Sequence, residues 1–158
     1  MKKKIMIIGP SGSGKTTLCH YLNGEEKAVR KTQDIIFGKH TIDVPGSYLD
    51  NPGMYEHLIA VAQNHASQIV CLVDINELRD RYPPEFTKVF NCPVTGVITK
   101  YDGDETKAEK CEKQLSRAGI KTPRFRINKD EEAGMERLKE YLFRSTLNGG
   151  EHEIYHRI

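Results

Sequence analysis

The chain has 158 residues, with 24 Lys and Arg against 22 Asp and Glu, a net charge of +2 and 29% charged residues. That length supports one self-sufficient core. So even a charge balance is not the footprint of a nucleic-acid-binding surface.

The start, Met1-Lys2-Lys3-Lys4 before Ile5-Met6-Ile7-Ile8, imitates a secretory leader, but its apolar run falls short of the roughly 7 to 15 residues that an h-region needs. No other run approaches membrane-spanning length, so a cytoplasmic protein without membrane or nucleic-acid partners is expected. Cys19, Cys71, Cys92 and Cys111 are scattered without a CxxC pair, which predicts reduced, mostly buried thiols and not a zinc site or a disulfide framework.

The apolar run at residues 5–8 leads into Gly9-Pro10-Ser11-Gly12-Ser13-Gly14-Lys15-Thr16, a full match to the phosphate-loop pattern GxxxxGK[ST] in its required setting between a buried strand and a helix. Gly9, Gly12 and Gly14 are expected to take positive φ, so that successive N–H groups, including those of Ser11, Ser13 and Thr17, point inward as an anion nest. Lys15 would reach the β- and γ-phosphates and the Thr16 hydroxyl would ligate Mg²⁺. The helix, residues 16–22, ends at Asn23-Gly24, a stop signal.

Further on, two β-prone runs flank Gly38-Lys39 and predict a hairpin of two strands of about five residues, which would return Asp43 to the side of Thr32. Asp43-Val44-Pro45-Gly46 matches DxxG, in which the aspartate holds Mg²⁺ through water and the glycine N–H faces the γ-phosphate. Residues 47–53, with Pro52 and Gly53, read as a mobile loop. A helix is expected over residues 54–63, a two-sided buried strand over 68–74 and another over 93–100. Residues 76–91 carry Pro83-Pro84 and mixed charge and are the least readable part of the chain. A charged amphipathic helix follows over 104–118, with Ala108, Cys111, Leu115 and Ala118 inward and Gly119 as its stop. A short strand near residues 124–127 and a helix over 131–143 complete a domain spanning residues 1–145, with 146–158 as an exposed tail.

Alternating strands and helices give an α/β, mostly parallel sheet whose site lies at the carboxyl ends of the strands. Thr99-Lys100-Tyr101-Asp102 stands at such an end and resembles the [NT]KxD base-recognition element. Asp102 would accept from the guanine N1–H and 2-amino groups, a pairing that adenine cannot offer. Lys100 would lay its stem along the ring.

Gly9-Pro10-Ser11, Lys31-Thr32-Gln33, the interval to Thr41-Ile42-Asp43-Val44-Pro45-Gly46, Tyr48-Leu49 and Val97-Ile98-Thr99-Lys100 together resemble the small P-loop proteins of ethanolamine and propanediol utilisation, the EutP/PduV family, over nearly the whole chain to Phe143. The resemblance implies a three-layer, Ras-like P-loop NTPase domain with one antiparallel edge strand. It also implies a cytoplasmic protein associated with bacterial microcompartments, with a shell component or enzyme as partner. Within it, Thr32 would be the switch threonine that closes on Mg²⁺, acting with Lys15 and Gly46 on the γ-phosphate. Three positions depart from common GTPase patterns. Ser47 replaces the water-orienting glutamine, Gly12 stands where potassium-activated enzymes carry asparagine, and Ile127-Asn128-Lys129 replaces Ser-Ala-Lys, leaving an Asn128 backbone N–H for the guanine O6. Two functions follow. One is a Mg²⁺-dependent GTP/GDP switch with slow hydrolysis. The other is an ATP-dependent phosphotransferase on a small acid, an acetate kinase, with Arg30, Lys31 or Arg79 at the acceptor.

Overall fold

The computed structural model describes residues 2–25, 34–121 and 123–147. In chain order the elements are β1 (Lys4–Ile8), α1 (Lys15–Asn23), β2 (Ile36–Phe37), β3 (Thr41–Asp43), α2 (Ser47–Asp50), α3 (Tyr55–His65), β4 (Ala66–Asp74), β5 (Val94–Thr99), α4 (Glu105–Arg117), β6 (Arg124–Arg126) and α5 (Glu132–Leu147). They form one six-stranded sheet in the order β2-β3-β1-β4-β5-β6. β3, β1, β4, β5 and β6 are mutually parallel, and β2 is the antiparallel edge.

The apolar runs of β1 and β4 are continuous because both faces of the sheet are covered. Side chains alternate between the faces. Ile5 and Ile7 of β1, with Val70 and Leu72 of β4, pack against Leu18 and Leu22 of α1 and Leu138 and Leu142 of α5. Met6 and Ile8, with Ile69, Cys71 and Val73, pack against Leu58 and Val61 of α3 and Cys111 and Leu115 of α4. The result is a three-layer domain, α1 and α5 on one side of the sheet and α3 and α4 on the other.

Several expectations are corrected. The hairpin strands have two and three residues, not about five, and the turn spans Gly38 to Thr41, closed by the Gly38 N–H on the Thr41 carbonyl at 2.8 Å. Asn23 at the end of α1 fixes this turn, accepting from the His40 N–H at 2.7 Å and donating to the Thr41 hydroxyl at 3.0 Å. The ladder places Ile36 opposite Asp43, and Thr32 lies outside the described residues. Residues 47–53 are not an open loop: α2 forms one helical turn, and a 3₁₀ turn, Pro52–Met54, follows, with the Asn51 side chain accepting from the Gly53 N–H at 3.0 Å. α5 continues to Leu147, past the helix end expected at 143. The tail from 148 lies outside the described residues.

The stretch between β4 and β5 is tied down by aromatic burial. Phe86 meets Tyr82, Tyr55 and Phe90 at ring distances of 5.4, 5.8 and 5.5 Å. Tyr82 is 2% exposed, and its hydroxyl donates to the Leu72 carbonyl at 2.7 Å with the Ile8 carbonyl at 3.2 Å within reach of the same proton. It therefore joins the ends of β4 and β1, just where the chain enters Gly9. Tyr82→Phe should lower the unfolding free energy by about 1 to 2 kcal/mol, the cost of stranding buried carbonyls. Urea titration checks this, and an unchanged midpoint and slope would show that the hydroxyl contributes nothing there.

Candidate functional site

The turn after β1 is shaped by two glycines in the left-handed region, Gly12 (φ 79) and Gly14 (φ 99), a conformation that costs a side-chain-bearing residue strain. Gly9 is not one of them, which corrects the expectation of positive φ there. Its requirement is space, since a Cβ at Gly9 would stand 2.8 Å from Ser13 Oγ and 3.0 Å from Leu72 Cβ. Within the turn, Ser13 donates to the Pro10 carbonyl from N at 3.1 Å and from Oγ at 2.6 Å. The Lys15 ammonium donates to the same carbonyl at 2.9 Å. No side chain caps the start of α1, so its first-turn N–H groups face the cavity as an anion-binding end.

Lys15 is 6% exposed and Asp43, at the end of β3, is 4% exposed. Burial lowers the Lys15 pKa, and the nearby Asp43 charge opposes that. Burial raises the Asp43 pKa, opposed by the Thr16 hydrogen bond and the Lys15 charge. Thr16 Oγ1 donates to Asp43 Oδ2 at 2.9 Å, and Asp43 Oδ1 is buried without a hydrogen-bond partner. An orphaned carboxylate oxygen beside a hydroxyl, at the mouth of an anion nest, fits Mg²⁺, which takes one or two protein oxygens and draws its other ligands from phosphate and water. Among the described residues no three His, Cys, Asp or Glu side chains cluster as a metal cage, and a Mg²⁺ shared with phosphates needs no such cage.

A cavity of about 690 Å³ opens over this turn. Residues 11–18 form its floor, Gly46 and Ser47 one side, and Thr99, Lys100, Asn128 and Lys129 the other. Gly46 is pressed onto the phosphate loop so closely that a Cβ there would collide with the Ser11 backbone. Thr99 is buried, its hydroxyl donating to the Ser13 carbonyl at 2.7 Å. Lys100 adopts φ 59, and its ammonium spans the Gly12 carbonyl at 2.6 Å and Asp74 Oδ2 at 2.9 Å.

Asp102 stands outside the cavity wall. Its Oδ1 accepts from the Asp104 N–H at 3.0 Å and its Oδ2 from Lys107 at 3.4 Å. The Asp104 N–H chiefly, and Lys107 after it, hold its carboxyl below the usual carboxylate range. Asn128 Nδ2 donates to the Tyr101 carbonyl at 3.1 Å and its Oδ1 accepts from the Asp130 N–H at 2.9 Å, so the two loops that would frame a base are bonded to each other.

The fold thus gathers Ser11, Gly12, Ser13, Gly14, Lys15, Thr16, Thr17, Gly46, Thr99, Lys100 and Asn128 at one cavity, with Asp43 bonded behind it, Gly9 beneath it and Asp102 at its rim. Sequence reasoning missed Met135 in the wall, and Asp74 and Lys107 behind Lys100 and Asp102. Asp74 had a usable signal, a carboxylate at the carboxyl end of a strand buried on both faces. Met135 had none, since its helical spacing matches any core position.

The PduV-EutP family model, described as ethanolamine utilisation - propanediol utilisation, matches residues 2–144. The propanediol utilization protein PduV of Citrobacter freundii is 41% identical over 100 residues, 63% of this chain and 66% of that protein. The probable acetate kinase EutP of Escherichia coli K12 is 30% identical over 142 residues, 89% of each chain. Among solved structures, the elongation factor SelB of Methanococcus maripaludis, in complex with the GTP analogue GppNHp, superposes with a TM-score of 0.63 at 23% identity over 94% of this chain and 35% of its own. That likeness establishes the fold. On the match across residues 2–144, the chain belongs to the PduV-EutP family of ethanolamine and propanediol utilisation.

Proposed function

We propose that this chain is a guanine-nucleotide switch serving ethanolamine or propanediol utilisation, binding GTP and GDP with Mg²⁺ and hydrolysing GTP slowly. The observation that carries it is the convergence on one cavity of the phosphate loop, Gly46, Thr99 and Lys100, with Asp43 bonded to Thr16 behind it. Lys15 and the nest would hold the β- and γ-phosphates, and Thr16 and Asp43 would hold Mg²⁺, with Thr32 joining in the triphosphate state. Bound there, Mg²⁺ would neutralise charge on the phosphate oxygens. Gly46, lying on the loop at Ser11, is placed to register whether a γ-phosphate is present, and α2 directly after it would pass that state to a partner, a microcompartment shell component or enzyme. Ser47 lines the cavity where a longer amide side chain would orient the attacking water, which supports slow hydrolysis.

The name of the E. coli relative favours a second reading, phosphoryl transfer from ATP to acetate. It needs a basic acceptor site. Arg79 lines a separate hollow beside Asp50 and Tyr55, while Arg30 and Lys31 lie outside the described residues.

Three measurements test the site, and the first and third separate the readings. Purified protein should turn over GTP at about 10⁻⁴ to 10⁻² s⁻¹. An acetate-dependent rate above about one per second with ATP would favour the kinase. Lys15→Met should abolish triphosphate binding while leaving the unfolding free energy equal to the wild type or about 1 kcal/mol higher, because it removes a buried charge. Calorimetry and urea titration check the two halves, and retained submicromolar GTP affinity would place the phosphate site elsewhere. Asp102→Asn should lose tenfold to several hundredfold in GTP affinity, since a donor would face the guanine donors. The same variant should prefer XTP, whose carbonyl an amide can serve. An unchanged base ranking in competition binding would remove Asp102 from base recognition.

A further inference from the structure

Lys100 is one of two non-glycine residues with positive φ among the described residues. Such a conformation persists only where the surroundings over-determine it, and here they do. Its ammonium bridges the Gly12 carbonyl at 2.6 Å and Asp74 Oδ2 at 2.9 Å. The other Asp74 oxygen accepts from the Asn76 N–H at 2.8 Å, and the Ile75 N–H donates to the Thr99 carbonyl at 3.0 Å. The Asn76 side-chain oxygen accepts from Lys107 Nζ at 3.0 Å, and that ammonium reaches Asp102 Oδ2 at 3.4 Å. The Asp102 Oδ1 is held by the Asp104 N–H, while Asp104 itself caps α4, accepting from the Lys107 N–H at 3.1 Å. An unbroken polar chain therefore runs from the phosphate loop through the end of β4 to the carboxylate at the rim.

We infer that Asp74, Asn76 and Lys107 are positioning residues for nucleobase selection: Asp74 fixes Lys100 against the phosphate loop, and Asn76 with Lys107 aims the Asp102 carboxylate. The inference rests on the guanine reading above and says which residues set its selectivity. Charge is central to it. Lys100 and Asp102 alone would be a cation and an anion on a solvated rim, free to pair with each other. Asp74 gives the Lys100 ammonium a separate anion and Lys107 gives the Asp102 carboxylate a separate cation, which keeps the stem of Lys100 extended and both Asp102 oxygens directed. Folding has little need of these pairs. Lys107 and Asp102 are 42% and 44% exposed in their side chains, and Lys100 is 52% exposed against 20% for Asp74; ion pairs with at least one partner open to solvent add little to stability.

The test measures GDP and ADP affinities by competition for the wild type, Asp74→Asn, Lys107→Met and Lys107→Arg, with thermal melting of each nucleotide-free protein. Asp74→Asn keeps the oxygen that accepts from Asn76 and replaces the one that accepts from Lys100 with an amide donor, so the Lys100 ammonium loses its anion. It and Lys107→Met should each lower the GDP-over-ADP preference by roughly tenfold. ADP affinity should stay within about threefold and the melting temperature within about 2 °C, and Lys107→Arg should keep most of the preference. A wild type that prefers GDP while both variants keep its preference, or lose both nucleotides in parallel, would overturn the positioning role and leave the guanine reading standing. A wild type without preference would overturn both.

Discussion

A lysine and an aspartate, both nearly sealed from water beside the start of α1, set the terms for the rest of this molecule. Neither Lys15 nor Asp43 has its charge satisfied by the protein alone: the ammonium rests on one carbonyl, and one carboxylate oxygen has no partner. Desolvating such groups is costly unless a counter-charge arrives. The sheet makes the arrangement possible. Parallel pairing of β1 with β3 carries Asp43 to the level of Ile7, so two segments far apart in sequence deliver their polar ends to the same edge. Tyr82 and Thr99 then fasten that edge from behind.

The titration of the pair expresses the same conflict. Burial raises the folded pKa of Asp43 above its ordinary 3.8. Between those values the folded state holds more protons, and stability falls as pH rises through that window. Burial lowers the folded pKa of Lys15 below 10.5. There the unfolded chain holds more protons, and stability rises with pH through that window. In each window it is burial of the charged form that works against folding. On the proposed function, a polyphosphate with Mg²⁺ would supply the missing anion and cation together.

Much of this was legible in the amino-acid sequence, for reasons that can be named. The phosphate loop is a contiguous pattern whose backbone demands at Gly12 and Gly14 leave few alternatives. The strands at residues 68–74 and 93–100 announce themselves because two-sided burial removes polar positions from the run. Illegible parts depend on contacts distant in sequence. Gly9 is required by the approach of Ser13 and Leu72, not by its own dihedral angle. The segment between β4 and β5 is ordered by Tyr82, Phe86 and Phe90, whose regular spacing of four is interrupted by Pro83-Pro84 and makes no α-helix; they meet Tyr55 and one another across a loop. The short strands of the hairpin reflect Asn23, which enters the turn from the end of α1. Lys107 looks like ordinary surface charge until the fold places it against Asp102.

The central claim is that this buried pair and its rim form a Mg²⁺-dependent guanine-nucleotide site, and calorimetric titration of the purified protein with GTP and ATP, each with and without Mg²⁺, tests it most directly. The expected result is GTP binding that weakens sharply when Mg²⁺ is removed and exceeds ATP binding by about hundredfold or more, since a site built to accept hydrogen bonds from guanine leaves its acceptors unpaired against adenine. ATP binding as tightly as GTP, or GTP binding indifferent to Mg²⁺, would contradict it.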